Sequence, residues 1–201
     1  MKIVLVAPGY KAFPPTGWGA VESIVWDYYQ NLLKRGHIVH IVNTSNPNQI
    51  IAETNAIDTD IVHIMYDDHI VVAPFLKCSK IYYTSHYAYI THPTFATSYP
   101  WYFKNIFRKA IEYQRFITIN AISQQIETVY RNHGFTGKIN VLCNGAREDC
   151  FRYTTDPQMP NKSAYVAKVE VRKGQHLYQN VPNIDFIGNY HDSPFNTKLP
   201  N

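Results

Sequence analysis

Apolar positions change period twice near the N-terminus. Lys2-Ile3-Val4-Leu5-Val6-Ala7 is a continuous β-branched run, the pattern of a strand covered on both faces. From Val21 onward the spacing becomes helical. Val21, Ile24, Val25, Tyr28 and Leu32 fall at i, i+3, i+4, i+7 and i+11, one apolar stripe on a helix that stops at Gly36. The same alternation continues down the chain. Strands are predicted at residues 37–42, 60–65, 80–84, 116–122 and 138–142. Helices are predicted at 48–56 (weak), 68–75 (short), 101–111 (broad and aromatic) and 124–132, with Ser123 as the N-cap of the last and Gly134 as its stop. Residues 87–100 read as a loop rich in Thr, Pro and aromatic side chains.

Strands alternating with helices imply right-handed βαβ crossovers: an α/β, Rossmann-like three-layer domain with a mostly parallel sheet. Ligands of such sheets bind beyond the carboxyl ends of the strands. That rule singles out 8–19, Tyr66-Asp67-Asp68, Ser85-His86, Ser123 and Asn144-Gly145. Within the first of these, Pro14-Pro15-Thr16-Gly17-Trp18-Gly19 leads into Ala20-Val21-Glu22. A strand, a glycine-bearing loop and a helix start bring free N–H groups and the positive end of a helix dipole to one point, a site suited to phosphate. A plain βα turn, with glycines serving only the backbone, explains the loop equally well.

Beyond residue 153 the pattern changes. Residues 154–163 read as a polar, Pro-bearing linker between a domain at 1–153 and a further segment at 164–201. That segment holds two strands, 164–168 and 184–187, and a stub of helix. Two strands make no independent core, so it reads as the incomplete start of a second domain, with self-association through its uncovered apolar surface as a consequence.

Composition narrows the function classes. Hydrophobic residues make up 45% of the chain and charged ones 17%, as in a folded globular protein. The net charge of +4 is mild and dispersed, with no Lys/Arg cluster, which argues against nucleic acid. Three cysteines, Cys78, Cys143 and Cys150, are odd in number and lack paired ligand spacing, so no metal is expected and a reduced, cytoplasmic setting is the simplest reading. No apolar run has the length of a membrane span, which leaves at most a peripheral association.

The order of motifs resembles the N-terminal half of a GT-B glycosyltransferase of the retaining GT4 type. Gly19-Ala20-Val21-Glu22 stands where that family has Gly-Gly-x-Glu, with Ala20 in place of the second glycine. Arg35-Gly36-His37-Ile38-Val39 matches its Arg-Gly-His-x-Val, Asp60-Ile61-Val62-His63 its third strand, and Thr84-Ser85-His86 its Thr-x-His. Asn144-Gly145 precedes the linker as in the family. Lys168 and Arg172-Lys173-Gly174 resemble the start of its nucleotide-binding domain, with Lys for Arg at the first position and a gap one residue shorter.

The resemblance implies transfer of a sugar from a nucleotide-sugar donor to a carbohydrate or lipid-linked hydroxyl, with retention and with neither metal nor cofactor. It implies that His86 lies against the transferring sugar and donates a hydrogen bond to it, and that Gly17, Gly19, Lys173 and Lys168 hold the diphosphate. Glu22 supports the loop, and Ser123 and Asn144 lie on the acceptor side. The family's second domain supplies a Glu-x7-Glu element that this sequence does not contain, so the expectation is a fragment without turnover of its own. Three other readings stay open: a nucleotide- or carbohydrate-binding module, a Rossmann epimerase or dehydrogenase, and a structural domain. The second would require Gly-x-Gly-x-x-Gly straight after the first strand, where this chain has a long Pro-rich loop. Residues 87–101 either line an acceptor site or pack on the helix that follows. His63 reads as a sheet histidine, and Asp67-Asp68 as a helix N-terminus in preference to a ligand contact.

Overall fold

A computed structural model describes residues 1–16, 19–145, 154–156, 158–167, 169 and 173–188. The chain divides into two compact units, Met1–Gly145 and Ala146–Asn201.

The first unit is built on six parallel strands: β1 (Lys2–Ala7), β2 (Ile38–Asn43), β3 (Ile61–Ile64), β4 (Ile81–Ser85), β5 (Ile117–Ala121) and β6 (Ile139–Val141), in the order β2-β1-β3-β4-β5-β6. The predicted α/β class holds. β1 is central and almost wholly buried, as its unbroken apolar run requires, whereas β2 at the edge alternates buried and exposed positions. Successive side chains of each strand feed opposite faces. Ile3, Leu5, Ala7 and Met65 pack with Val25 of α1 (Ala20–Lys34). Val4, Val6, Val62, Ile64, Tyr83 and Ile119 face the other way. There they meet Ile50 of α2 (Pro47–Asn55) and Tyr130 of α6 (Gln124–Asn132). Right-handed crossovers account for this division, because the chain first moves outward from β1 to β2 and then turns back past β1 to β3.

Two connections depart from the predicted helices. Between β3 and β4 the chain forms a 3-10 segment, Asp67–Phe75, with Pro74 inside it. Its residues Ile70, Val72 and Ala73 are buried without helical periodicity. Between β4 and β5, α3 (Phe95–Ser98) precedes a helix in three consecutive pieces: α4 (Pro100–Tyr102), a π turn (Phe103–Phe107) and α5 (Arg108–Glu112). The π turn carries one extra residue per turn, and the rings of Phe103 and Phe107 stack 5.6 Å apart along it. Phe107 is fully buried against Phe95, Tyr130 and His133. The aromatic helix predicted at 101–111 thus exists, with a widened middle that packs these rings.

The second unit contains a parallel pair, β7 (Ser163–Val166) and β8 (Ile184–Ile187), and a 3-10 turn, Gln175–Leu177. Val169 and Phe186 form its core, with Tyr165 stacked on Phe186.

Candidate site at the carboxyl edge of the sheet

Because all six strands run the same way, the residues that follow them share one edge. The strand order reverses between β1 and β3, whose loops leave in opposite directions and open a crevice. The loop after β1 is pinned from one side. Gly9 donates its amide to the Asn43 side chain at 3.0 Å, and Asn43 donates back to the Lys11 carbonyl at 2.8 Å. Gly9 has φ +85°, and a Cβ there would lie 2.2 Å from the Ser45 amide nitrogen, so only glycine fits. From the other side the buried His69 ring donates to the Pro8 carbonyl at 3.3 Å. Tyr10 meets Tyr66 edge-on, with ring centroids 5.8 Å apart.

Where this loop enters α1, Gly19 holds the N-cap position with no side-chain cap on the helix amides. Glu22 Oε2 and Lys11 Nζ approach the place a Gly19 Cβ would occupy, to 2.8 and 3.1 Å. Glu22 is buried in the first turn, where a carboxylate favours the helix dipole. An anion at this helix start would therefore meet free N–H groups with a cation and a carboxylate beside them. Gly17, named with Gly19 for the diphosphate, lies outside the described residues.

One strand further along, the edge is organised by a buried carboxylate. Asp67 is 1% exposed. Its Oδ1 accepts from Tyr83 Oη at 3.1 Å, Tyr102 Oη at 3.0 Å and Ser85 Oγ at 3.4 Å. The His86 amide reaches both oxygens, at 3.2 and 3.1 Å, and Tyr130 donates to Ser85 Oγ at 3.3 Å. Asp67 does open the 3-10 segment, but its side chain is a hydrogen-bond hub joining that segment to β4, α4 and α6, not a helix cap. Burial raises its pKa to about 6, opposed by these donors. Its neighbour Asp68 is also raised, by burial first and then by Asp67, and Asp68 Oδ1 is buried without a hydrogen-bond partner.

His86 follows β4 directly. Its ring is hydrogen-bonded to the Met65 backbone, and its Nε2 is buried without a partner. The Met65 amide is already given to the Val6 carbonyl, so the ring faces the Met65 carbonyl, to which it can only donate. Nδ1 therefore carries the proton. Burial lowers the His86 pKa to about 4, so at neutral pH the ring is uncharged and Nε2 is a bare acceptor.

His63 is a sheet histidine, as the sequence reading has it: Nε2 lies 2.7 Å from Thr84 Oγ1 and 3.5 Å from Asn120 Nδ2. Ser123 caps α6, accepting from the Ile126 amide at 3.3 Å. Asn144 is exposed in the segment after β6. In the second unit Lys173 is exposed, and its carbonyl accepts from Tyr165 Oη. Lys168 lies outside the described residues. Of the two readings of residues 87–101, packing on the helix that follows is the one seen: Tyr87 and Phe95 lie against Tyr102.

Position on the carboxyl edge flagged Tyr10, Lys11, Tyr66 and Asp67 in the sequence, but assigned no role to the first three and missed the hub role of Asp67. Among the described residues no group of three or more His, Cys, Asp or Glu is placed to hold a metal ion, and no helix is long and apolar enough to cross a membrane.

The fold is similar to the crystal structure of AviGT4, a glycosyltransferase involved in avilamycin A biosynthesis, with a TM-score of 0.52 and 14% sequence identity. The alignment covers 93% of this chain and 63% of that one, so the chain spans under two thirds of its neighbour's length. No protein-family model matches the sequence, and no curated protein does. At this identity the likeness is one of fold alone.

Proposed function

We propose that this chain carries part of a retaining, GT4-like glycosyltransferase that moves a sugar from a nucleotide-sugar to a carbohydrate or lipid-linked hydroxyl. One observation carries the reading. The carboxyl edge of the sheet carries both an uncapped helix start at Gly19 with Lys11 beside it and, directly after β4, a histidine whose buried Nε2 has no partner. A departing nucleoside diphosphate gathers negative charge, and fixed N–H groups and a cation stabilise that charge without reorganising. His86 accepts a hydroxyl of the transferring sugar. Glu22 holds the loop in place, while Ser123 and Asn144 stand on the acceptor side. The chemistry calls for neither metal nor cofactor.

Calorimetric titration of the purified chain with UDP-, GDP- and ADP-sugars tests this reading, together with an assay for donor hydrolysis and transfer. Binding of one of them is expected, weakened about tenfold by His86→Ala, the loss of one hydrogen bond to a buried acceptor. Binding without transfer fits the fragment expected here and a non-catalytic nucleotide- or carbohydrate-binding module alike, whereas robust turnover would overturn the fragment. No binding of any of the three would leave a structural α/β domain.

A further inference from the structure

The Asp67 carboxylate is supplied with hydrogen bonds in an unusual proportion. Tyr83, Tyr102 and Ser85 converge on one oxygen, and the His86 amide reaches both. The His86 amide can only donate, and the three hydroxyls donate here; an ionised carboxylate accepts from all of them at once. A buried charge is costly, and an apolar side chain would serve packing alone at least as well. The partners explain what the charge does instead. They come from β4, α4 and, through Tyr130 and Ser85, α6, and the carboxylate on which they meet also holds the amide of the first residue beyond β4. That residue is His86, the one whose ring nitrogen is left without a partner.

We propose that Asp67 is the positioning residue of this site: it fixes the His86 amide from both oxygens, and so fixes the direction in which the imidazole presents its unpartnered Nε2 to a ligand hydroxyl. The ligand half of this inference rests on the glycosyltransferase reading; the half that concerns the imidazole does not. The geometry is over-determined in the manner of a site held ready before a ligand arrives. The 3-10 segment supplies the carboxylate, β4 fixes the backbone up to Ser85, and the hydroxyls of Tyr83 and Tyr102 hold the carboxylate in place. Nothing in this arrangement touches a ligand hydroxyl directly, so Asp67 acts through His86.

The experiment compares the full chain with its Asp67→Asn and Tyr102→Phe variants, using nitrogen-15 spectra of the histidine rings and backbone, and titration with UDP-, GDP- and ADP-sugars. Asp67→Asn keeps one carbonyl oxygen but turns an N–H toward the His86 amide, which can only donate. The His86 ring resonances and their titration midpoint are expected to move, while amides on β1 and β2 stay in place, and nucleotide-sugar affinity is expected to fall about tenfold. A folded Asp67→Asn chain whose His86 ring signals and midpoint match the parent overturns the proposal. Should that variant fail to fold, Tyr102→Phe decides. It keeps the carboxylate and removes one competing donor, so the His86 amide resonance should shift; an unmoved resonance overturns the proposal as well. If the parent chain binds none of the three sugars, the glycosyltransferase reading falls, and the imidazole spectra still decide whether Asp67 orients the ring.

Discussion

The acid side of the stability curve puts the buried histidine of the sheet to a quantitative test. His63 is 6% exposed between Thr84 and Asn120, and burial, with a smaller contribution from His86, lowers its pKa from 6.5 to about 4. Between those values the unfolded chain binds a proton at this position that the folded chain does not, so stability rises with pH across the window and is lost as pH falls from 6.5 toward 4. At pH 5 the linkage relation makes the contribution of this one group about 2 kcal/mol of lost stability relative to neutral pH. His86 acts in the same direction. Asp67 acts in the opposite one: its pKa is raised from 3.8 to about 6, so ionisation between those values destabilises the fold. Asp67 is present in parent and variant alike, so its effect cancels in the comparison, as does the part of the His86 shift that burial alone causes. His63→Gln keeps a polar partner for Thr84 and removes the titration. Urea unfolding of both proteins at pH 7 and pH 5, followed by tryptophan fluorescence, reads the first unit, because Trp18, Trp26 and Trp101 all fall within it. The parent is expected to lose about 2 kcal/mol more than the variant between the two pH values. Equal losses would refute a neutral, buried His63.

Three further outcomes follow from the packing. Gly9→Ala should lower the thermal midpoint through a loss of at least about 2 kcal/mol, because the new methyl meets the Ser45 backbone at 2.2 Å in a left-handed conformation; unchanged melting would mean the loop relaxes freely. Phe107→Ala removes a fully buried ring from between Phe95, Tyr130 and His133 and should cost about 3–5 kcal/mol in denaturant unfolding, with less than about 1 kcal/mol contradicting the packing described for the π turn. Gly19→Ala crowds only the ends of two side chains, Glu22 and Lys11, so stability should change by less than about 1 kcal/mol while nucleotide-sugar affinity falls about tenfold in calorimetry; full affinity would remove Gly19 from the site.

Local pattern carried the architecture a long way. The unbroken apolar run at Lys2–Ala7, the stripe on α1 and the Ser123 cap are properties of neighbouring residues, and each element formed where its own sequence asked for it. With parallel strands and right-handed crossovers, the carboxyl-edge residues could be named from the chain alone, Asp67 and His86 among them. What those residues do there was out of reach of the sequence. Read locally, Asp67 is one of two acidic residues at a helix start; its partners Tyr83, Tyr102 and Ser85 stand up to 35 positions away, and only packing brings their hydroxyls to it. His86 is similar. Which of its nitrogens carries the proton depends on the Met65 carbonyl of the neighbouring strand, and its charge depends on how much protein surrounds the ring. Gly9 passed unnoticed because its need for glycine comes from Thr44 and Ser45, brought against it by the pairing of β1 with β2. Periodicity and capping are short-range and therefore legible along the chain. Hydrogen-bond polarity, burial and close backbone approach belong to pairs of distant segments, and the tertiary structure alone decides them.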